Sequence, residues 1–352
     1  MFWKSSTRLA AALLLVTSAG AQQATSTASR SDQAMPVSPE EAAYRKMPDT
    51  TGSGPYPATM EMDLAAPNDT LYHPADLSHL GNRKLGVLIW GNGGCSNDGA
   101  SARLHLSEIA SHGFLVVAPG KVLTGPSAVE GAPTPQFMQI TVEDMRRGLD
   151  WALAENERKG SLFYRLLDRN AVAVSGHSCG GMLAVLLASD PRIHAVIIHN
   201  SGIFSTIPAR PTLLMHEERL QGIHTPVLLI LGGKDDIAWN QGTDAFEHIN
   251  QVPVMLASLD VGHMGTFMQP NGGAVAQIAA DWLEWQLHRD AKGRQNLSKQ
   301  GLSLVCGYPM DCAAQGRVRR ISGQRNAAKL CCWSSKGCHR PHAMLTLVDL
   351  DT

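Results

Sequence analysis

The sequence predicts an α/β domain over residues 55–298, with a mostly parallel central sheet covered by helices on both faces. Three observations predict it. Short apolar runs alternate with amphipathic stretches from about residue 55 to 290. The runs are apolar along their whole length rather than at alternate positions, as strands buried on both faces require. One of them also leads through a glycine-flanked serine directly into an apolar helical stretch. Repeated β–α units of this kind imply right-handed crossovers between parallel strands.

The expected strands are Leu85–Trp90, Phe114–Ala118, Ala171–Ser175, Ala195–His199, Val227–Leu231 and Val254–Leu259, each bounded by Gly, Pro, Asn or Asp. Helices are expected between them. Ala102–Ser111 sets Leu104, Ile109 and Ala110 among polar residues and stops at Gly113. Thr141–Glu155 puts Met145, Leu149, Trp151 and Ala152 on one face, and Thr141 with Asp144 can cap its start. Ala274–Leu287 closes the domain with Ile278, Trp282 and Trp285 at helical spacing.

Composition narrows the function classes. The chain has 352 residues, 44% of them hydrophobic and only 17% charged, against roughly 25% charged in an average soluble protein. Such a chain is too apolar for disorder. A formal net charge of −1 leaves no whole-chain basic field for nucleic acid.

The two ends are expected to stand apart from the domain. Lys4 and Arg8, the apolar stretch Leu9–Ala19 and the small residues Ala19-Gly20-Ala21 read as a signal peptide over residues 1–21. Export to the periplasm or the extracellular space follows. The stretch falls short of the ~20 apolar residues that span a bilayer, so no membrane span is expected. Residues 22–54, rich in Ser, Thr, Gln, Gly and Pro, read as a flexible leader.

From residue 291 onward ten Lys or Arg face three Asp, and five of the seven cysteines lie there. Cys331, Cys332, Cys338 and His339 could ligate a metal, but their spacing matches no standard zinc pattern. Residues 299–352 are therefore expected to be a poorly ordered basic tail.

The chemistry concentrates at Gly176-His177-Ser178-Cys179-Gly180, between the strand Ala171–Ser175 and the apolar run Met182–Ala188. A serine on a tight strand-to-helix turn needs glycines beside it, because side chains there would collide. The turn lifts the hydroxyl clear of the sheet and aims the next N–H, that of Cys179, at the place where an oxyanion forms. Ser178 is thus the candidate nucleophile.

Such a serine needs a base, and the base an orienting acid. The acid is expected just past Val227–Leu231, at Asp235, with Asp236 as its competitor. The base is expected past the following strand, at His263 in Val261-Gly262-His263-Met264-Gly265. His177 is read as packing beside the site, and His194 and His199 as core groups. The second oxyanion donor is expected from Gly91-Asn92-Gly93-Gly94-Cys95, at the N–H of Asn92 or alternatively Gly93. Cys95 and Cys179 come to the same sheet edge and could form a disulfide in an oxidising compartment. Met182, Trp239, Met264 and Phe267 follow site residues and could line a substrate pocket or simply belong to the core.

Taken together, Trp90-Gly-Asn-Gly-Gly94, Gly176-His-Ser-Cys-Gly180, Gly232-Gly-Lys-Asp235 and Gly262-His263 resemble the α/β-hydrolase superfamily over about residues 55–290. Thr70-Leu-Tyr-His-Pro74, Ile109–Val117 and Asp235-Asp-Ile-Ala238 are similar to stretches of its dienelactone-hydrolase and cutinase-like polyester-hydrolase branch. The chain departs from those relatives at Cys179, where polyester hydrolases usually carry Met, and at Ser178, where dienelactone hydrolases usually carry Cys. The loop 119–140 has no counterpart there. The resemblance implies the α/β-hydrolase fold with a minimal lid, residues 203–225 being the longest spare segment. It also implies a serine carboxylic-ester hydrolase acting on a small acyl ester or a polyester through an acyl-enzyme, with no cofactor or metal. The alternatives are a non-catalytic binding protein or a peptidase on the same fold, or a carrier for the tail.

Overall fold

The computed structural model describes residues 38–203, 217–299 and 303–306. The signal segment, the first part of the leader, most of the tail and residues 204–216 of the spare segment lie outside them.

Among the described residues nine strands form one sheet: β1 (Ala58–Glu61), β2 (Asp69–Pro74), β3 (Leu85–Gly91), β4 (Phe114–Pro119), β5 (Leu167–His177), β6 (Ala195–His199), β7 (Val227–Leu231), β8 (Val254–Ser258) and β9 (Ser303–Cys306). Their order is β1-β2-β4-β3-β5-β6-β7-β8-β9. The pairings from β4 through β8 are parallel, while β1–β2, β2–β4 and β8–β9 are antiparallel. Seven α-helices among the described residues accompany them: α1 (Pro39–Lys46), α2 (Arg103–Ser111), α3 (Val142–Glu157), α4 (Cys179–Leu187), α5 (Trp239–His248), α6 (Gly273–His288) and α7 (Ala291–Lys299). The α/β class and the mostly parallel sheet are as expected.

The wholly apolar strands bury a side chain on each face. Val87, Ile89, Val172 and Val174 point into one core, with Met145 and Leu149 of α3, Leu183 of α4 and Phe246 of α5. Leu88, Trp90 and Ala173 point into the other, with Leu106 and Ile109 of α2 and Ile278 and Trp282 of α6. Each fully buried Val, Leu or Ile is worth roughly 1.5–3 kcal/mol over an exposed one. The two helical layers thereby fix the sheet as a rigid plate whose loops can be placed accurately.

The start of α3 shows local and tertiary demands agreeing. Thr141 accepts the Asp144 N–H, and the Asp144 carboxylate accepts the Thr141 N–H, closing a capping box.

Two expectations about the ends are corrected. Residues 38–54 are not a flexible leader. Ser38 caps α1, and the buried Arg103 of α2 donates to the carbonyls of Tyr44 and Met47 and to Asp49. Ser53 bonds Glu108 of α2 through both its N–H and its hydroxyl. A segment polar in composition is held because its polar groups satisfy partners on α2.

The domain also continues past residue 298. α7 runs to Lys299, and β9 pairs antiparallel with β8 as the sheet's last strand. Cys306 therefore belongs to a strand, whereas Cys312, Cys331, Cys332, Cys338 and His339 lie outside the described residues. No helix among the described residues is long and apolar enough to cross a membrane.

Candidate active site

The strand order reverses direction between β3 and β5: β4 follows on one side, and β6, β7 and β8 on the other. At such a point the loops leaving the carboxyl ends part and open a crevice, which is where open α/β sheets bind ligands. Asn92 leaves β3 there and Ser178 leaves β5. Asn200, Asp236 and His263 leave β6, β7 and β8 along the same edge.

Ser178 sits on a sharp elbow, with φ 53° and ψ −119°, between β5 and the first residue of α4. A non-glycine residue at positive φ needs surroundings that hold it there. The Ser178 N–H donates to the His199 carbonyl at 3.0 Å, and the Ser178 carbonyl accepts the Ser201 hydroxyl at 2.7 Å. A Cβ at Gly176 would collide with the Gly180 carbonyl, and one at Gly180 with the carbonyls of Gly91 and Asn92. Glycine at these positions lets the β3 loop lie directly against the start of α4.

His263 Nε2 lies 3.0 Å from Ser178 Oγ, and His263 Nδ1 lies 2.7 Å from Asp236 Oδ1. With the Nδ1 proton donated to the carboxylate, Nε2 keeps its lone pair towards the serine hydroxyl. The Asp236 side chain is fully buried. Burial alone would push its carboxyl up. The His263 hydrogen bond, the N–H groups of Ala238 and Gly232 and the Asn200 amide outweigh it, holding the pKa at about 2. Asp236 stays ionised beside the imidazole.

Asp235, the expected acid, does not reach His263; its neighbour Asp236 does. The backbone turns at Gly233, with φ 88°, and Asp236 N–H donates back to the Gly233 carbonyl at 3.1 Å. That turn leaves Lys234 and Asp235 exposed and brings Asp236 underneath, where Gly232 N–H reaches its Oδ2 at 3.0 Å.

The Asn92 backbone is placed by its own side chain. Asn92 is fully buried, and its amide donates to the carbonyls of Ser96 and Pro119 at 2.9 and 2.6 Å. Cys179 opens α4, so its N–H has no helical carbonyl to meet. A disulfide joins Cys95 and Cys179 with their Cα atoms 5.3 Å apart. It ties the β3 loop to the residue after the serine.

The four pocket residues divide. Met264 is 49% exposed beside His263, and Trp239 is half-buried at the start of α5. Met182 and Phe267 are core residues, each 3% exposed. Met182 faces inward from the first turn of α4. Phe267 lies among the rings of Trp90, His105, His177 and His199.

One contributor was not foreseen. Asn200 follows β6 with φ 45° and donates to Asp236 Oδ2 at 2.8 Å and to the Gly262 carbonyl at 3.2 Å. It joins the acid to the base loop, and an amide directly after a buried strand at this edge is the signal that could have found it. His177, read as packing and supporting the site rather than as catalytic, has its Nε2 2.8 Å from the His263 carbonyl. Burial, reinforced by His263, lowers its pKa to about 4, so it is neutral near pH 7 and donates that bond.

Among the described residues, Glu217, Asp244 and His248 bring three ligand-type atoms together on the surface. They sit around α5 and the turn before β7 and touch none of the groups above. No family model matches the chain, and no curated protein does.

Proposed function

We propose that the protein is a serine carboxylic-ester hydrolase of the α/β-hydrolase fold, working through an acyl-enzyme. The observation that carries this is the continuous hydrogen-bonded series Ser178 Oγ, His263 Nε2, His263 Nδ1 and Asp236 Oδ1, with spacings of 3.0 and 2.7 Å. The chain order serine, acid, histidine, with each residue after its own parallel strand, is the order of that fold's triads.

Ser178 Oγ attacks the ester carbonyl carbon while its proton passes to His263 Nε2. Asp236 stabilises the resulting imidazolium and stays ionised. The negative charge on the carbonyl oxygen is received by the N–H groups of Cys179 and Asn92, aided by the positive end of α4. Loss of one such donor costs roughly 3–4 kcal/mol in the best-measured case. The intermediate collapses, the C–O bond to the alcohol breaks, and His263 returns the proton to the leaving oxygen. Water activated by His263 then attacks the acyl-serine, releasing the carboxylic acid and restoring Ser178.

The protein works outside the cytosol in this reading. Its support is the charged and apolar start of the chain together with the Cys95–Cys179 disulfide, a bond that oxidising compartments preserve.

Hydrolysis of p-nitrophenyl acetate, butyrate and octanoate by the full chain, beside Ser178→Ala, tests the proposal. Turnover should fall by on the order of 10⁵-fold or to background in the variant. Equal rates in wild type and a folded Ser178→Ala would return the protein to the binding-protein reading.

A further inference from the structure

The loop between β4 and α3 plays no part in the chemistry above, yet four of its residues, Gln136, Met138, Gln139 and Ile140, are bonded onto the stretch that follows β3. Gln136 N–H donates to Asn97 Oδ1 at 2.8 Å, and Asn97 N–H returns to the Gln136 carbonyl at 3.1 Å. Met138 N–H donates to the Gly94 carbonyl at 2.8 Å. Gln139 and Ile140 both donate to the Cys95 carbonyl, at 2.8 and 3.1 Å. The buried Ile140 then anchors the strap just before α3.

This strap places two apolar side chains against the loop after β3 and the Cys95–Cys179 disulfide. The Phe137 ring lies against Gly94, where any other residue's Cβ would stand. Gly94 thus serves twice, since its φ is 61° as well. Met138 is held at φ 57°, a strained value for a methionine, and its sulfur lies 3.7 Å from Cys179 Sγ. Despite that ring contact, Phe137 remains 54% exposed.

A single exposed phenylalanine needs no explanation, but exposed apolar groups gathered around a site mark a place where an apolar partner binds. Across the site, Ile237, Val261 and Met264 are also exposed, on the loops that carry Asp236 and His263. Apolar groups therefore flank the polar triad on both sides.

We propose that Phe137 and Met138 are specificity-determining residues, forming the wall that receives the apolar chain of the ester. The inference rests on the esterase reading above. An alkyl or aryl group on either the acyl or the alcohol side would supply the same contact. The strap sets Phe137 in place without itself joining the proton transfers.

The test uses the full chain with Phe137→Ala and Phe137→Leu. One arm compares p-nitrophenyl octanoate with acetate, varying the acyl group; the other compares octyl acetate with ethyl acetate, varying the alcohol. In one arm, the ratio of kcat/KM for the long ester to that for the short one should fall about tenfold in Phe137→Ala. Phe137→Leu should keep most of it. The arm that responds identifies which side of the ester lies on the wall. Ratios unchanged in both arms, or equal losses for long and short esters, would overturn the proposal. Absence of Ser178-dependent turnover in the wild type would remove the esterase reading and this inference with it.

Discussion

His263 and the pair formed by His105 of α2 and His199 of β6 lie close together, with the rings of His177 and Phe267 between them, yet their surroundings are opposite. The His263 ring is 20% exposed and has a partner on each nitrogen, a hydroxyl on one and a buried carboxylate on the other. The His177 ring lies 5.1 Å from it, tilted by 43°. Behind Phe267, His105 and His199 pack edge to face at 5.0 Å. Both are fully buried, and no ring nitrogen of either has a partner among the described residues.

Burial, with His177 adding repulsion, lowers the His105 pKa to about 3. Burial and the two neighbouring imidazoles put His199 well below its ordinary value. What separates a base from a filler is therefore the carboxylate. Nearness to the serine edge does not suffice.

Removing that carboxylate should break the contrast, with the largest effect. Asp236→Asn keeps the shape but can hold the imidazole in the wrong tautomer, with Nε2 protonated towards Ser178. A fall in kcat of about 10⁴-fold is expected, as for the same change in a serine protease triad. Asp235→Asn, altering an exposed side chain, should leave kcat within about twofold. Kinetics of the two variants on p-nitrophenyl butyrate decide between adjacent acids. A large loss in Asp235→Asn alone would return the role to that residue.

That pair also marks where sequence reasoning ends. Ser178 and His263 were legible because each follows an apolar strand and is bracketed by glycines, and only one residue of its type fits the position. The acid loop offers two carboxylates in succession. Which one turns inward depends on the bend at Gly233 and on the N–H groups of Gly232 and Ala238, and no periodicity encodes that. The six fully apolar strands were likewise readable within a residue or two, apart from the longer β5. β1 is half-exposed, and β9 lies beyond the point where hydrophobic patterning fades. Phe267 and Met182 stayed ambiguous because adjacency along the chain does not reveal which way a side chain points.

The second difference between the histidines is how each affects stability. His105, His177 and His199 are neutral in the folded protein but take up protons near their ordinary pKa of 6.5 once unfolded. Lowered histidine pKa values therefore give stability that is whole above about pH 6.5. It is lost as pH falls towards 4, because the unfolded chain then binds more protons.

Asp69 opposes them. Its burial raises its pKa to about 6, so the folded state holds that proton longer between pH 4 and 6. Each histidine alone would cost about 1.4 kcal/mol of stability per pH unit near pH 5, and the carboxyls offset part of that sum. Urea unfolding at pH 7.5, 6 and 5 should show the midpoint falling steeply below pH 6.5. A midpoint unchanged over that range would show that the buried imidazoles are charged or relieved by other groups.

His199→Phe sharpens the comparison with the smallest effect. Phenylalanine fits the aromatic surroundings of Trp90, His105 and Phe267. The backbone carbonyl that accepts the Ser178 N–H is untouched by the change. One titrating group is lost, so the pH dependence of stability near pH 5 should flatten by about 1.4 kcal/mol per unit. Two unpartnered ring nitrogens leave the core as well, so stability at pH 7.5 should not fall. Esterase activity at pH 7.5 should persist, because His199 touches no reacting atom. A steep loss of activity with the fold intact would mean that the buried pair is part of the catalytic base after all, and that the carboxylate is not what divides the two groups.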